Sequence, residues 1–214
     1  MTTLSRVLGA RSFALIAHGD QLYGKGPLAL PYEYHLTKVL GVWERLDNAE
    51  RAAILASYPG LTDEMVRIAA WLHDLIEDTS ETFEIVARRF GAMVAMLVYA
   101  VSDVPKEVLI ELGVKPNRHG RKWGTPQFPG PMRRIPMVRG AVVIKLLNRI
   151  ANVEASIAAV EKLENPTRAK IRDKLGMYRK EQVDFRTTLR VPGESVPLWD
   201  HLDSLSQRVE ELSA

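Results

Sequence analysis

Trp71-Leu72-His73-Asp74-Leu75-Ile76-Glu77-Asp78-Thr79 sets four ionisable residues within six positions of an otherwise apolar helical pattern. A buried helix face does not accept three carboxylates and an imidazole unless something compensates them, and a divalent metal is the usual compensation. On a helix His73 and Glu77 stack on one face. Asp74 and Asp78 stack on the next, rotated by about 100°. A His-Asp pair offers one nitrogen and one oxygen ligand, a mix suited to Mn²⁺, Fe²⁺ or Zn²⁺ more than to Ca²⁺. Glu77 and Asp78, one turn on, are placed to orient or deprotonate a water. The competing reading is an exposed helix end with solvated acids. It runs against the helix dipole, which disfavours acids in a last turn.

Working outward, apolar residues recur at helical spacing through most of the 214 residues, and strand-like alternation is scarce. Expected helices are a short one at 12–17, then 34–46 and one from the N-cap Thr62 through Ile76. Others follow at 82–90 (closed by Gly91), 92–101, 139–163, 167–189 and 198–212. Gly19 to Pro31 reads as a Gly/Pro-rich turn. Residues 103–136 hold six prolines and the bases Lys115, Arg118, His119, Arg121, Lys122, Arg133 and Arg134, and read as one long basic loop. The expected architecture is one all-α domain over 1–214, a helical bundle whose motif-bearing core spans about 10–190.

An apolar content of 46% suits a globular chain, and no apolar run approaches a membrane span. No secretory leader is read at the N-terminus. The absence of cysteine excludes disulfides and thiolate metal sites and fits a cytoplasmic protein. A net charge of +3 is too small to imply nucleic acid.

A two-ligand site is incomplete. His35 opens an apolar helix after Pro31-Tyr32-Glu33-Tyr34, where a lone histidine is more often structural than a ligand. Lys145-Leu146-Leu147-Asn148-Arg149-Ile150-Ala151-Asn152 puts two asparagines and two bases in an apolar helix, each pair four apart. Helix-surface polarity accounts for them equally well.

Taken together these segments resemble the HD-domain metal-dependent phosphohydrolases, and among them the hydrolase domain of RelA/SpoT-type alarmone enzymes and their small stand-alone relatives. The matching pieces occur in family order: Ala17-His18-Gly19-Asp20-Gln21, Pro31 to Leu36, Ala69 to Thr79, Phe90-Gly91, and Ile144 to Val153. A lone His-Asp pair is weak; the ordered set is fairly specific. The resemblance implies metal ligands at His35, His73 and Asp74, with Mn²⁺ the usual ion and other divalent metals possible. It implies that Glu77 and Asp78 handle the water and that Asn152 contacts substrate. Tyr178, with Lys174 one turn earlier, aligns loosely with a base-packing tyrosine and its basic neighbour. The implied reaction removes the 3′-pyrophosphate of a guanosine or adenosine alarmone.

Two departures stand out. Asn148 occupies the position where the family has an aspartate as fourth ligand; an amide keeps a carbonyl oxygen but not the charge. An Arg-Lys pair expected after Gln21 is replaced by Tyr23 and Gly24, with Lys25 one place later. Tyr23 could stack on a base or simply fill the core. The expected substrate-contacting set is therefore Tyr23, Lys25, Lys145, Arg149, Asn152, Lys174 and Tyr178, with loop bases adding phosphate capture. The expected partner is a small-molecule nucleotide, with no membrane or nucleic acid. Three alternatives stay open: a deoxynucleoside triphosphatase, an NADPH phosphatase, and a non-catalytic nucleotide-binding protein with an impaired metal centre.

Overall fold

The computed structural model of the chain describes residues 2–24, 29–162 and 167–213. It is all-α apart from one minimal hairpin. The helices in chain order are α1 (Thr3–His18), α2 (Glu33–Arg45), α3 (Asn48–Ser57), α4 (Asp63–Leu72), α5 (Leu75–Asp78), α6 (Phe83–Phe90), α7 (Ala92–Val101), α8 (Lys106–Glu111), α9 (Arg118–Trp123), α10 (Pro131–Arg134), α11 (Ala141–Lys162), α12 (Thr167–Leu189) and α13 (Val196–Ser213). Strands β1 (Leu22–Tyr23) and β2 (Leu30–Pro31) pair antiparallel, Tyr23 opposite Leu30.

The axis of the fold is α11. Thirteen of its 22 residues are buried, including the run Ala141 to Ile144, so its first turns are enclosed on every side. It packs on α2, α4 and α7 on one flank and on α12 and α13 on the other. The main core joins Leu36, Trp43, Ile68, Leu72, Leu97 and Leu146. A smaller cluster of Val153, Val160, Leu175, Tyr178 and Val209 ties the far end of α11 to α12 and α13.

Local signals account for most boundaries. Thr62 caps α4 and Thr82 caps α6 through their side chains. Gly91 joins α6 to α7 at φ 99°, a conformation that favours glycine. Three sequence expectations need correction. Helix α1 is 16 residues long, capped by Thr2, rather than a short turn from Ser12. Helix α3 is absent from the expected set, although Asp47 and Glu50 form the reciprocal capping box that their spacing spells. The expected helix from Thr62 through Ile76 is interrupted: Asp74 sits at φ −98°, ψ 0°, and α5 is a single separate turn.

The basic stretch 103–136 also differs from expectation, being mostly short helices docked on the core. Val104 N–H donates to Arg121 O, Gly130 N–H to Trp123 O, and Leu109, Met132 and Ile135 are buried. Gly124 is required at its turn: at φ +60°, a Cβ there would lie 2.2 Å from the Phe128 carbonyl oxygen.

Candidate metal centre and its cavity

The break between α4 and α5 is what aims the site. His73 ends α4 with its Nδ1–H donating to Ala70 O at 2.9 Å, leaving Nε2 as the lone-pair nitrogen. His35 rises from the first turn of α2, and its Nε2 lies 3.2 Å from His73 Nε2. Asp74 Oδ2 is 2.9 Å from His73 Nε2 and 3.2 Å from His35 Nε2. These three are the metal-type cluster found among the described residues. Two imidazole nitrogens and a carboxylate oxygen turned toward one another, nearly sealed from water, fit a divalent cation of the borderline kind.

The electrostatics reflect how closely the three groups stand. Burial lowers the His35 imidazole, which disfavours its protonated form. Burial opposes protonation of His73 too, but the adjacent Asp74 charge prevails and raises it. Burial would raise Asp74; the two imidazoles outweigh it and hold the carboxyl well below its ordinary range.

Glu77 and Asp78 part company after the break. Asp78 stays beside Asp74: the Tyr32 hydroxyl hydrogen-bonds the Oδ2 atoms of both, each at 2.8 Å. Burial, then the Asp74 charge, raises the Asp78 carboxyl. Glu77 turns to the segment after α7. Its Oε2 accepts from Asp103 N–H at 2.8 Å and its Oε1 from Arg121 at 2.9 Å. Burial, reinforced by Asp103 and Asp74, lifts Glu77 to about 7.

These groups line a cavity of about 270 Å³. Of the positions singled out in the sequence, Tyr23, His35, Asp74, Glu77, Asp78, Lys145, Asn148, Arg149, Asn152, Lys174 and Tyr178 all border it, and His73 lies buried beneath. Lys25 lies outside the described residues. Asn148 and Asn152 form a ladder: the Asn152 amide donates to the Asn148 carbonyl and side-chain oxygens. Asn152 Oδ1 in turn accepts from Tyr23 OH at 2.9 Å. Tyr23 is stacked flat on His35, centroids 4.7 Å apart, so its ring roofs the cluster. Tyr178 is buried beneath cations, with Arg149 4.7 Å and Lys174 5.7 Å from its ring centre. Lys145 donates to Val101 O at 2.9 Å from the cavity wall.

Tyr32, Asp103 and Glu181, around the cavity, carry no assignment from the sequence. Tyr32, which ties Asp74 to Asp78, stands in the Pro-Tyr-Glu-Tyr-His run without a role. Asp103 carries no local signal. Glu181 shares a helical face with Lys174 and Tyr178, at i+7 and i+3, and that spacing is a signal that could find it. Arg118 and Lys122 read as loop bases, whereas Asn117 caps a helix that stacks them one turn apart. The remaining loop bases are largely committed: Arg121 to Glu77, Arg133 to Trp123 O and Arg134, buried, to Ser102 O.

Comparison with known proteins gives a concordant picture. The HD domain family model matches residues 46–174, more than half of the chain, beginning after His35. The guanosine-3′,5′-bis(diphosphate) 3′-pyrophosphohydrolase MESH1 of Xenopus tropicalis is 39% identical over 97 residues, covering 45% of this chain and 47% of that protein. The Homo sapiens protein of the same name is 38% identical over 99 residues, covering 46% and 48%. The matched region thus spans about half the length of these relatives. A solved structure described as a metazoan ortholog of SpoT that hydrolyzes ppGpp superposes with a TM-score of 0.64 over 95% of both chains, at 23% identity, a likeness of fold. The His-Asp step at a helix break, the all-α frame and the family match converge on one assignment: the chain belongs to the HD domain family.

Proposed function

We propose that this chain is a metal-dependent phosphohydrolase that removes the 3′-pyrophosphate from a ppGpp- or ppApp-type alarmone. The observation that carries the reading is the convergence of His35 Nε2, His73 Nε2 and Asp74 Oδ2 in a cavity whose other wall is cationic. The names of the curated relatives supply the substrate class. His35, His73 and Asp74 would hold the ion, with Mn²⁺ our choice, and Asn148 would stand as a neutral fourth position. A divalent ion there supplies an acidified water and offsets phosphate charge.

The chain's own residues do the rest. Asp78, held at Oδ2 by Tyr32, positions the attacking water. Glu77, on the cavity wall with its carboxyl lifted by burial, takes its proton and can return one to the leaving group. Lys145 and Arg149 offset charge on the departing phosphate. Asn152, Lys174 and Tyr178 contact the nucleoside portion, and Tyr23 limits its approach to His35.

The Asn148–Asn152 ladder favours a second reading, a nucleotide-binding protein with an impaired metal centre, because the Asn148 side-chain oxygen is already engaged. Phosphate and pyrophosphate release with Mn²⁺ from ppGpp, ppApp, dNTPs and NADPH decides between them. Pyrophosphate from an alarmone alone is the expected result. Release from dNTPs or NADPH instead would replace the substrate, and silence from both the native chain and its Asn148→Asp variant would favour the binding protein.

A further inference from the structure

One ring away from the metal-type cluster stand two side chains with no part in the chemistry above: His18, the last residue of α1, and Gln21 just beyond it. His18 is 6% exposed, and its Nε2 is enclosed without a hydrogen-bond partner. Leaving a buried polar atom unpaired is destabilising, and a residue that only filled this space would be apolar. The imidazole is therefore accounted for by its other nitrogen. Nδ1 lies 2.6 Å from Gln21 Oε1, and because an amide oxygen only accepts, Nδ1 carries the proton of that bond.

The Gln21 backbone completes a clamp. Its N–H donates to His18 O and its carbonyl accepts from Tyr32 N–H, both at 3.0 Å. Gly19, at φ 52°, lets the chain leave α1 and turn back for these contacts. What the clamp holds is one face of Tyr32. The His18 and Tyr32 rings lie nearly flat on each other, with centroids 4.3 Å apart and planes 17° from parallel. His35 and Tyr23 meet the Tyr32 ring at steep angles, 77° and 79°.

The hydroxyl at the tip of that ring has one proton to give and two carboxylate oxygens to receive it, Asp74 Oδ2 and Asp78 Oδ2, each 2.8 Å away. Hydrogen bonds weaken steeply as they bend, so a small swing of the ring changes how that proton is shared. We infer that His18, locked by Gln21, is a positioning residue: it fixes the plane of Tyr32 and thereby sets how the Tyr32 hydroxyl divides between Asp74, in the metal-type cluster, and Asp78. What this does for turnover rests on the phosphohydrolase reading, whereas the positioning itself does not. Groups that orient a metal ligand tune its affinity without touching the ion.

The test is a double-mutant cycle of His18→Leu and Tyr32→Phe with two readouts: the carboxyl-carbon NMR signal of Asp74 in metal-stripped protein, and Mn²⁺ affinity by calorimetry. Tyr32→Phe should move the Asp74 signal and weaken Mn²⁺ binding by about tenfold. His18→Leu should move the signal the same way by less, weaken Mn²⁺ binding several-fold, and add nothing to either readout in the Tyr32→Phe background. Gln21→Leu, at a half-buried position, should reproduce the His18→Leu effects at smaller amplitude, which keeps the inference testable if His18→Leu fails to fold. Side-chain changes at His18 and Gln21 that leave the Asp74 signal in place in folded protein would overturn the inference, as would effects that add in full to those of Tyr32→Phe, the mark of mere packing. Asp74 signals that behave as expected in a chain that takes up no Mn²⁺ would sink the phosphohydrolase reading and leave the positioning role standing.

Discussion

The two walls of the cavity are opposites in what they lack. On the wall built by α2 and the α4–α5 break, lone pairs outnumber protons: two imidazole nitrogens and a carboxylate oxygen sit within 3.2 Å of one another. On the wall built by α9, α11 and α12, cationic donors outnumber acceptors, and Arg149 Nη1 has no acceptor at all. One wall is short of a cation and the other of an anion. On the proposed reading, a phosphorylated ligand with a metal ion at one end would complete both. The contrast separates two imbalances, one of cations and one of anions, which separate substitutions can probe.

The largest effect should come from Asp74→Ala, which removes the oxygen shared by both imidazoles. We expect loss of metal uptake and a fall in turnover of about 10³-fold or more, roughly 4 kcal/mol of barrier. Metal analysis and product release measure it, and full turnover in the variant would remove the cluster from the mechanism. A smaller change is expected from Asn148→Asp, which adds a charge at the neutral position: metal affinity should rise by about tenfold and turnover with it. Calorimetry with Mn²⁺ checks this, and an unchanged affinity would take Asn148 out of the ligand set.

The smallest effect concerns pH at the basic wall. Lys122 is charged below about 7 and neutral above it. Arg118 of α9, Lys145 and Arg149 of α11, and Glu181 of α12 face it, and Glu181 at about 2 stays ionised throughout. Affinity for sulfate, an anion of constant charge, should therefore fall a few-fold between pH 6 and 8.5. The fall should vanish in Lys122→Gln, and a flat profile in the native protein would show that Lys122 keeps its proton without help.

Much of this architecture is legible in the sequence. Helical periodicity and N-caps such as Thr62 and Thr82 locate most helices, and the His-Asp-x-x-Glu-Asp spacing marks the centre. What the periodicity does not show is the break at Asp74. Local helical preference is nearly continuous there, and it is the competition among His35, His73 and Tyr32 for the Asp74 carboxylate that accompanies the turn. The basic stretch escapes a local reading for a related reason. Prolines and glycines announce irregular backbone, but whether it docks depends on burial partners such as Leu109 and Met132, which face residues far away in sequence.

By itself, then, the sequence determined the all-α frame, the gathering of an imidazole and three carboxylates within six positions, and the surplus of bases after α7, because these depend on spacing of a few residues. Tertiary structure alone decided that His35 meets His73, that Glu77 leaves the cluster for Asp103 and Arg121, and that Glu181 draws three cations to itself. Those contacts join residues 26 to 63 positions apart. Their energies depend on burial and on the sum of neighbouring charges, neither of which is a property of any short stretch of chain.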